Sequence, residues 1–446
     1  MAAIDQLYRY AAPSTLAPTP GGATLSLVGE TGRAPEEAAF LDARALRPDV
    51  TARGLRGVSE IVGSRFYVPP SMLARILREA DPVVTVSPGA VRVEGFSACC
   101  SAYARLDIAD DGLEVAARRN GTTNVDFGAE LRGALAGVTR DTALDLKVGA
   151  GGVAVARDGA EIVEKKVALP VRWVRGMGEV QVAQAGMDRA FGLTRVAMQR
   201  LLRALPRGKT DHLQYLTVAG GQARLALRET PGAVPLRGGH RLRVLDTMAT
   251  LCEGAEVWVN RATGASAWAL DLPGQRFWLV LNAEPWRGFS GDGGLLSRIA
   301  TSDGSAAAAV RAQLNWQDRI EVEGLCAATG LDPHTVEGAL AELAATGLVG
   351  YDLARGGYFH RVLPFDMERI GALNPRLVAA RKLLDAGAVT LDNRGGQVRS
   401  GEVVHRVVQE EDGWRCTCPW FARNGTQRGP CKHALAVEMA LDGTTT

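Results

Sequence analysis

Residues 416–433 read CTCPWFARNGTQRGPCKH and gather three of the chain's seven cysteines with one of its six histidines. The spacing is Cys416-x-Cys418, twelve intervening residues, then Cys431-x-His433. Each half sets two soft or borderline donors on one local turn. The loop between them is long enough to fold back and bring the halves together. Three thiolates and an imidazole suit tetrahedral zinc, with bonds of about 2.0–2.3 Å. Four ligands complete that geometry, so the expected site holds one structural Zn2+ and leaves no open position. A redox pair fits worse, because the spacing is C-x-C rather than C-x-x-C and no βαβ pattern surrounds it. A disulfide would leave one cysteine over and belongs to an oxidising compartment. His405 is close in sequence and is given no ligand role.

Other catalytic patterns fall short in the sequence. LSLVGETGR (25–33) resembles a strand entering a phosphate loop but lacks the G-K-[ST] ending whose lysine reaches the phosphates. GFSGD at 288–292 places its second glycine one position too early for a nucleophile elbow. There is no H-E-x-x-H, and the histidines stand singly at 212, 240, 334, 360, 405 and 433. The H-x-E that accompanies zinc in deaminases is missing. The carboxylate pairs Glu36 with Glu37, Asp110 with Asp111, and Glu410 with Glu411 sit in polar contexts and read as solvated. The expectation is a non-enzyme with no catalytic residues.

Cationic residues offer two candidate surfaces for nucleic acid. Drawn as one helix over 187–207, the chain places Arg189, Arg200, Arg203 and Arg207 on one side, with Lys209 extending it. Phe191, Met198, Leu201, Leu202 and Leu205 fall on the other. This surface would meet an anionic partner, either nucleic acid or an acidic protein patch, unless it is simply a solvated face. Lys165, Lys166, Arg172 and Arg175 could widen it, whereas Trp173 between the arginines reads as core. Arg237, His240, Arg241 and Arg243 form a second weak cluster.

The elements that must carry these residues belong to an ordinary globular chain. Of 446 residues, 46% are hydrophobic and 22% charged, which is ample core material for about two to four domains. With 51 basic and 49 acidic residues no global charge drives the chain to nucleic acid or membrane. The N-terminal MAAIDQLYRYAAPSTLAP has neither a basic n-region nor an apolar h-region, and the apolar runs are too short to cross a bilayer. A cytoplasmic location follows as the expectation. Cys99, Cys100, Cys252 and Cys326 then read as small buried hydrophobes.

Residues 12–40 read as a partly irregular lead-in. Strands are predicted at 83–86, 90–93, 102–108 and 113–117, a helix at 127–138, strands at 143–148 and 153–157, and a long helix over 187–205. The strand-rich stretch 212–282 has candidates at 213–218, 223–227, 241–245, 255–260 and 276–281, as in a meander or small barrel. GFSGDGG (288–294) marks a boundary. Helices at 295–314, 322–329 and 333–346, then a hairpin from 348–351 and 358–363, have the order of a winged helix. Asp332 and Pro333 suit the start of its third helix and Gly347 its stop. Residues 290–366 carry five Lys/Arg against ten Asp/Glu, a net −5, and PHTVEGALAELAAT has no cation. Such a unit is poorly suited to phosphate contacts, which supply most non-specific affinity. A helix at 375–386 and strands at 403–408 and 414–417 lead into the cysteine cluster, and a helix at 434–440 follows it. The fold class is α+β multi-domain, with a mixed N-terminal domain (1–210), a β-rich domain (211–290), a winged-helix-like domain (291–366) and a helix plus zinc module (367–446).

The cluster resembles a SWIM zinc-binding module, whose pattern is C-x-C, a variable loop, then C-x-H. Cys416, Cys418, Cys431 and His433 occupy its ligand positions, and Pro419 and the CKH entering a helix agree with it. Together with SACCSAYARLDI, GTTNVDF and EKKVALPVRWVRGMGEVQV, the motif is similar to a bacterial family of SWIM zinc-finger proteins. In that family the module ends a longer chain of unassigned activity, commonly encoded beside a MoxR-type AAA+ ATPase and a von Willebrand factor A protein. The resemblance implies a partner role in an ATPase system.

Overall fold

The computed structural model describes residues 15–19, 22–28, 39–66, 82–124, 127, 129–149, 171–296, 304–363, 375–410, 413–426 and 428–442. The strand expected at 153–157, Lys165, Lys166, Glu36, Glu37, Glu411 and the end of LSLVGETGR lie outside them.

Part of the expected lead-in is sheet. Strands β1 (Thr15–Thr19) and β2 (Gly22–Val28) pair antiparallel, joined in one five-stranded sheet by β3 (Ala39–Ala45), β7 (Leu113–Arg118) and β9 (Leu144–Gly149). Its order is β1-β2-β9-β3-β7, with β2 and β9 parallel. Helix α1 (Pro48–Gly63) follows, and α2 (Ala129–Ala136) lies within the helix expected at 127–138.

The central sheet has eight strands. In spatial order they are β10 (Asp188–Thr194), β14 (Gly254–Val259), β15 (Ser266–Leu272), β16 (Gln275–Leu281), β6 (Ala102–Ala109), β5 (Ala90–Phe96), β4 (Val83–Ser87) and β8 (Gly121–Asn124). Each consecutive pair is antiparallel. On one face Val91, Val93, Leu106 and Ile108 bury against α1. The sheet draws strands from both sides of residue 210, so the stretches 1–210 and 211–290 share one sheet and one apolar core. Local pattern marks a strand but not its neighbour, which is why β6 pairing with β16 across more than a hundred residues was not foreseeable.

Two local expectations fail here. The helix predicted over 187–205 is a strand followed by a shorter helix, α4 (Arg195–Ala204), after α3 (Val171–Ala185). In DRAFGLT, Phe191 and Leu193 alternate and Gly192 disfavours helix, so the segment extends along β14. Thr194 then caps α4, its Oγ1 accepting the Ala197 N–H at 3.2 Å. The strand expected at 241–245 is instead a 3₁₀ segment, Gly239–Thr247, in which Leu242, Val244 and Leu245 all turn inward. Strands β11 (Leu213–Ala219), β12 (Gln222–Ala226) and β13 (Val234–Arg237) form a separate small sheet in the order β12-β11-β13.

Next come α5 (Ser305–Arg311), α6 (Val322–Thr329), α7 (Pro333–Ala345) and the hairpin β17 (Val349–Asp352) with β18 (Gly357–His360). Helix α5 is shorter than the 295–314 expected. Asp332 caps α7 by accepting the Thr335 N–H at 3.1 Å, and Gly347 at φ +77° takes the left-handed turn that ends it. Val310, Leu325, Val336, Leu340 and Val349 give this unit a core of its own. The chain ends with α8 (Pro375–Asp385), the meander β19 (Val389–Asp392), β20 (Gly395–Ser400), β21 (Val403–Glu410) and β22 (Gly413–Cys416), then α9 (Pro419–Asn424) and α10 (Lys432–Asp442). Among the described residues no helix is long and apolar enough to cross a membrane.

Candidate metal centre

The meander delivers Cys416 at the last residue of β22, and a turn places Cys418 at the N-cap of α9. Its Sγ accepts the Phe421 N–H at 3.4 Å. Cys431 repeats the arrangement before α10, its Sγ accepting the Ala434 N–H at 3.5 Å. Both sulfurs therefore sit where helix N-termini stabilise thiolate. His433 lies in the first turn of α10, and its Nδ1 faces the sulfurs of Cys416 at 3.7 Å and Cys431 at 4.0 Å. The four donor atoms lie within 4.8 Å of one another, and all four residues are buried. A tetrahedral ion at about 2.3 Å from each sulfur requires spacings of this order. Cys416 bonding to Cys431 drives the Cys431 thiol down to about 4 and raises that of Cys416; burial raises Cys418. A divalent cation is what allows three such sulfurs to be anionic together. Cys416, Cys418, Cys431 and His433 are positioned to bind one zinc ion. The His405 ring packs against His433, tilted by 37° with centroids 4.3 Å apart, and lies outside this donor set.

Residues 405–442 match the SWIM zinc finger. No curated protein sequence matches the chain. Among solved structures the chain is similar to Proliferating Cellular Nuclear Antigen from Entamoeba histolytica, at 11% identity and a TM-score of 0.33 over 55% of this chain and 98% of that one. It is also similar to the PCNA2–PCNA3 complex from Sulfolobus tokodaii, at 8% identity and 0.33 over 54% and 98%. Scores of this size assign neither fold nor function.

The SWIM module is seated on the rest of the molecule through the expected boundary, GFSGDGG. Arg376 of α8 donates to the carbonyls of Arg428 at 2.7 Å and Pro430 at 3.1 Å, and to that of Asp292 at 2.9 Å. Its guanidinium also lies 5.0 Å from the Trp420 ring centroid. Arg428 donates to the Gly291 carbonyl at 3.0 Å. Gly429, at φ +68°, packs so closely that a Cβ there would stand 2.0 Å from the Gly293 oxygen. Glu179 of α3 lies beneath, accepting the Gly294 N–H at 2.9 Å. Burial and Asp292 push its carboxyl up to about 8, and burial lifts Asp292 to about 6. Sequence reading missed Arg376 and Arg428, since isolated arginines in helices and loops carry no spacing signal.

The predicted cationic residues separate. Arg189 is on β10, not on a helix, and is paired with Glu256 at 2.7 Å. Arg200 and Arg203 on α4, with Arg207 and Lys209 after it, are exposed and pair with no other described carboxylate. The second cluster is structural: Arg241 is buried and donates to the carbonyls of Ser101, Arg237 and Asn282. Arg243 caps the end of α4 through the Leu202 and Leu205 carbonyls. Trp173 is core as expected.

A second set went unrecognised. Arg92 opposes Asp107 and Glu94 opposes Arg105 across β5 and β6, on the face away from α1. The β17–β18 hairpin covers them. Buried Arg361 pairs with buried Glu94, which also accepts from Tyr103 Oη. Arg92 stacks 4.0 Å from the Phe359 ring centroid, and Arg105 reaches the Tyr351 carbonyl at 2.8 Å. Burial opposes ionisation of Glu94, yet Arg361 and Tyr103 hold its carboxyl below the ordinary range.

Proposed function

We propose that this is a cytoplasmic, zinc-stabilised, non-enzymatic interaction protein, an adaptor acting with a MoxR-type AAA+ ATPase and a von Willebrand factor A protein. The observation carrying this reading is the fate of the helix that a winged-helix-like unit would offer to DNA. Helix α7 buries Val336, Ala339, Leu340 and Leu343 in its own unit, while Ala341 and Ala345 face Leu295 and Val182 of α3. The hairpin beside it is held by the Glu94–Arg361 pair. Both elements that would read a groove are thus spent within the molecule, on a segment of net negative charge. A closed zinc site likewise offers no coordination position for chemistry. The partner class rests on the family resemblance. Affinity capture with the tagged full chain from native extract should recover the ATPase or the von Willebrand A protein; recovery of neither contradicts the adaptor reading.

A second reading, nucleic-acid binding, is favoured by the exposed and unpaired Arg200, Arg203, Arg207 and Lys209. It predicts retention of DNA or RNA at ~50 mM salt, falling steeply as salt rises, and lost in the Arg200→Glu, Arg203→Glu double variant. No retention at low salt removes it.

A further inference from the structure

We propose that the cavity between Phe66 and Trp286 is a binding site for the base of a nucleotide unit in single-stranded nucleic acid; this rests on the second reading above and names its contact. The cavity is a half-open cleft of about 690 Å³, within the size range of small-molecule sites. Its walls are aromatic: the Phe66 and His240 rings lie 5.7 Å apart at 57°, and the Trp286 indole is 47% exposed across from them. An indole left open in this way, next to a buried Pro285, is a stacking platform.

Cationic and hydrogen-bonding groups stand around these aromatic walls. Lys209 lines the cavity and pairs with no other described residue, and Arg207, Arg203 and Arg200 precede it in the chain. The Arg237 guanidinium sits 5.1 Å from the Trp286 centroid and is steadied by donating to the Asp211 carbonyl at 2.9 Å. His240 Nδ1 accepts the Thr210 N–H at 3.2 Å, so Nε2 carries the hydrogen in the neutral ring, and that atom is buried without a partner among the described residues. Burial, Arg241 and Lys209 all hold the ring neutral. Asp211, which also lines the cavity, brings a carboxylate that can accept an exocyclic amine. A π-face, a cationic rim and an amine acceptor together describe a nucleobase bearing phosphate. An acidic peptide would use the rim and leave the platform idle.

The test uses the zinc-loaded full chain, a short labelled single-stranded oligonucleotide, free adenosine monophosphate and an acidic peptide, each read by fluorescence polarisation or tryptophan quenching. Trp286→Ala should weaken oligonucleotide binding about tenfold to a hundredfold while leaving the slope of log affinity against log salt unchanged. Lys209→Glu should reduce that slope. The half-exposed position of Trp286 makes a folded variant the expectation, and unchanged zinc content and melting temperature verify it. Oligonucleotide binding indifferent to Trp286→Ala overturns the pocket and leaves the second reading standing; no oligonucleotide binding overturns both. Saturable binding of the monophosphate alone, lost in Trp286→Ala, assigns the pocket to free nucleotide rather than to a strand and overturns the strand proposal. Tighter binding of the acidic peptide also overturns it.

Discussion

Each cysteine sulfur at the head of α9 and α10 meets a backbone N–H of its own helix, so the ligands are oriented before any ion arrives. Cys431→Ala should therefore release zinc and loosen the SWIM module while the eight-stranded sheet stays folded, as read by metal analysis and hydrogen exchange along the chain. The buried Glu94–Arg361 pair allows a sharper energetic test. Glu94→Ala leaves the Arg361 guanidinium buried and unpaired and should cost about 3–5 kcal/mol in denaturant unfolding, and combining Glu94→Gln with Arg361→Met should recover much of that. A loss under about 1 kcal/mol would mean that water reaches Arg361. The four ligands were legible because spacing alone defines them. The network was not: Arg92, Glu94, Arg105 and Asp107 alternate with apolar residues as on any strand with one wet face. Only the distant hairpin, which local pattern cannot place, turns that face inward.

At the scale of elements, the joint between the SWIM module and GFSGDGG is built from Gly291, Gly293, Gly294 and Gly429, two arginines, the buried Glu179 carboxyl and the partly buried Asp292. Burial and the neighbouring Asp292 raise Glu179 from an ordinary 4.5 to about 8, against Arg376 and the backbone N–H groups of Gly294 and Leu295. Because the folded protein holds this proton more tightly than the unfolded chain does, its contribution is complete below about pH 4.5. It declines as pH rises and is gone above about pH 8, with Asp292 adding a loss between about pH 4 and 6. Hydrogen exchange of residues 428–442 should accordingly quicken from about pH 6 to 8.5 beyond its intrinsic rate, and Glu179→Gln should flatten the trend. Helix and strand identity was readable wherever period and caps agreed, as at Asp332 and Gly347. It failed at 188–194, where cations and apolar residues satisfied a helical wheel although Gly192 and an open sheet edge favoured β10.

For the whole molecule, one sheet spans the first two segments, a three-helix unit closes over its charged face, and the SWIM module is pinned to the turn that follows it. Buried ion pairs line that charged face, and α4 with the chain to Lys209 presents an exposed cationic surface. On the nucleic-acid reading, replacing both Arg200 and Arg203 by Glu should leave zinc content and melting temperature within error of the parent while abolishing low-salt retention of nucleic acid, measured on an anionic-ligand column. A drop in stability instead would show that the arginines serve packing. The closed metal site underlies everything else, and cobalt substitution tests it most directly. One Co2+ per chain, with the intense visible bands of tetrahedral coordination and sulfur-to-metal charge transfer that vanish in Cys431→Ala, is the predicted result. Substoichiometric metal, or a spectrum of higher coordination with bound water, would contradict it.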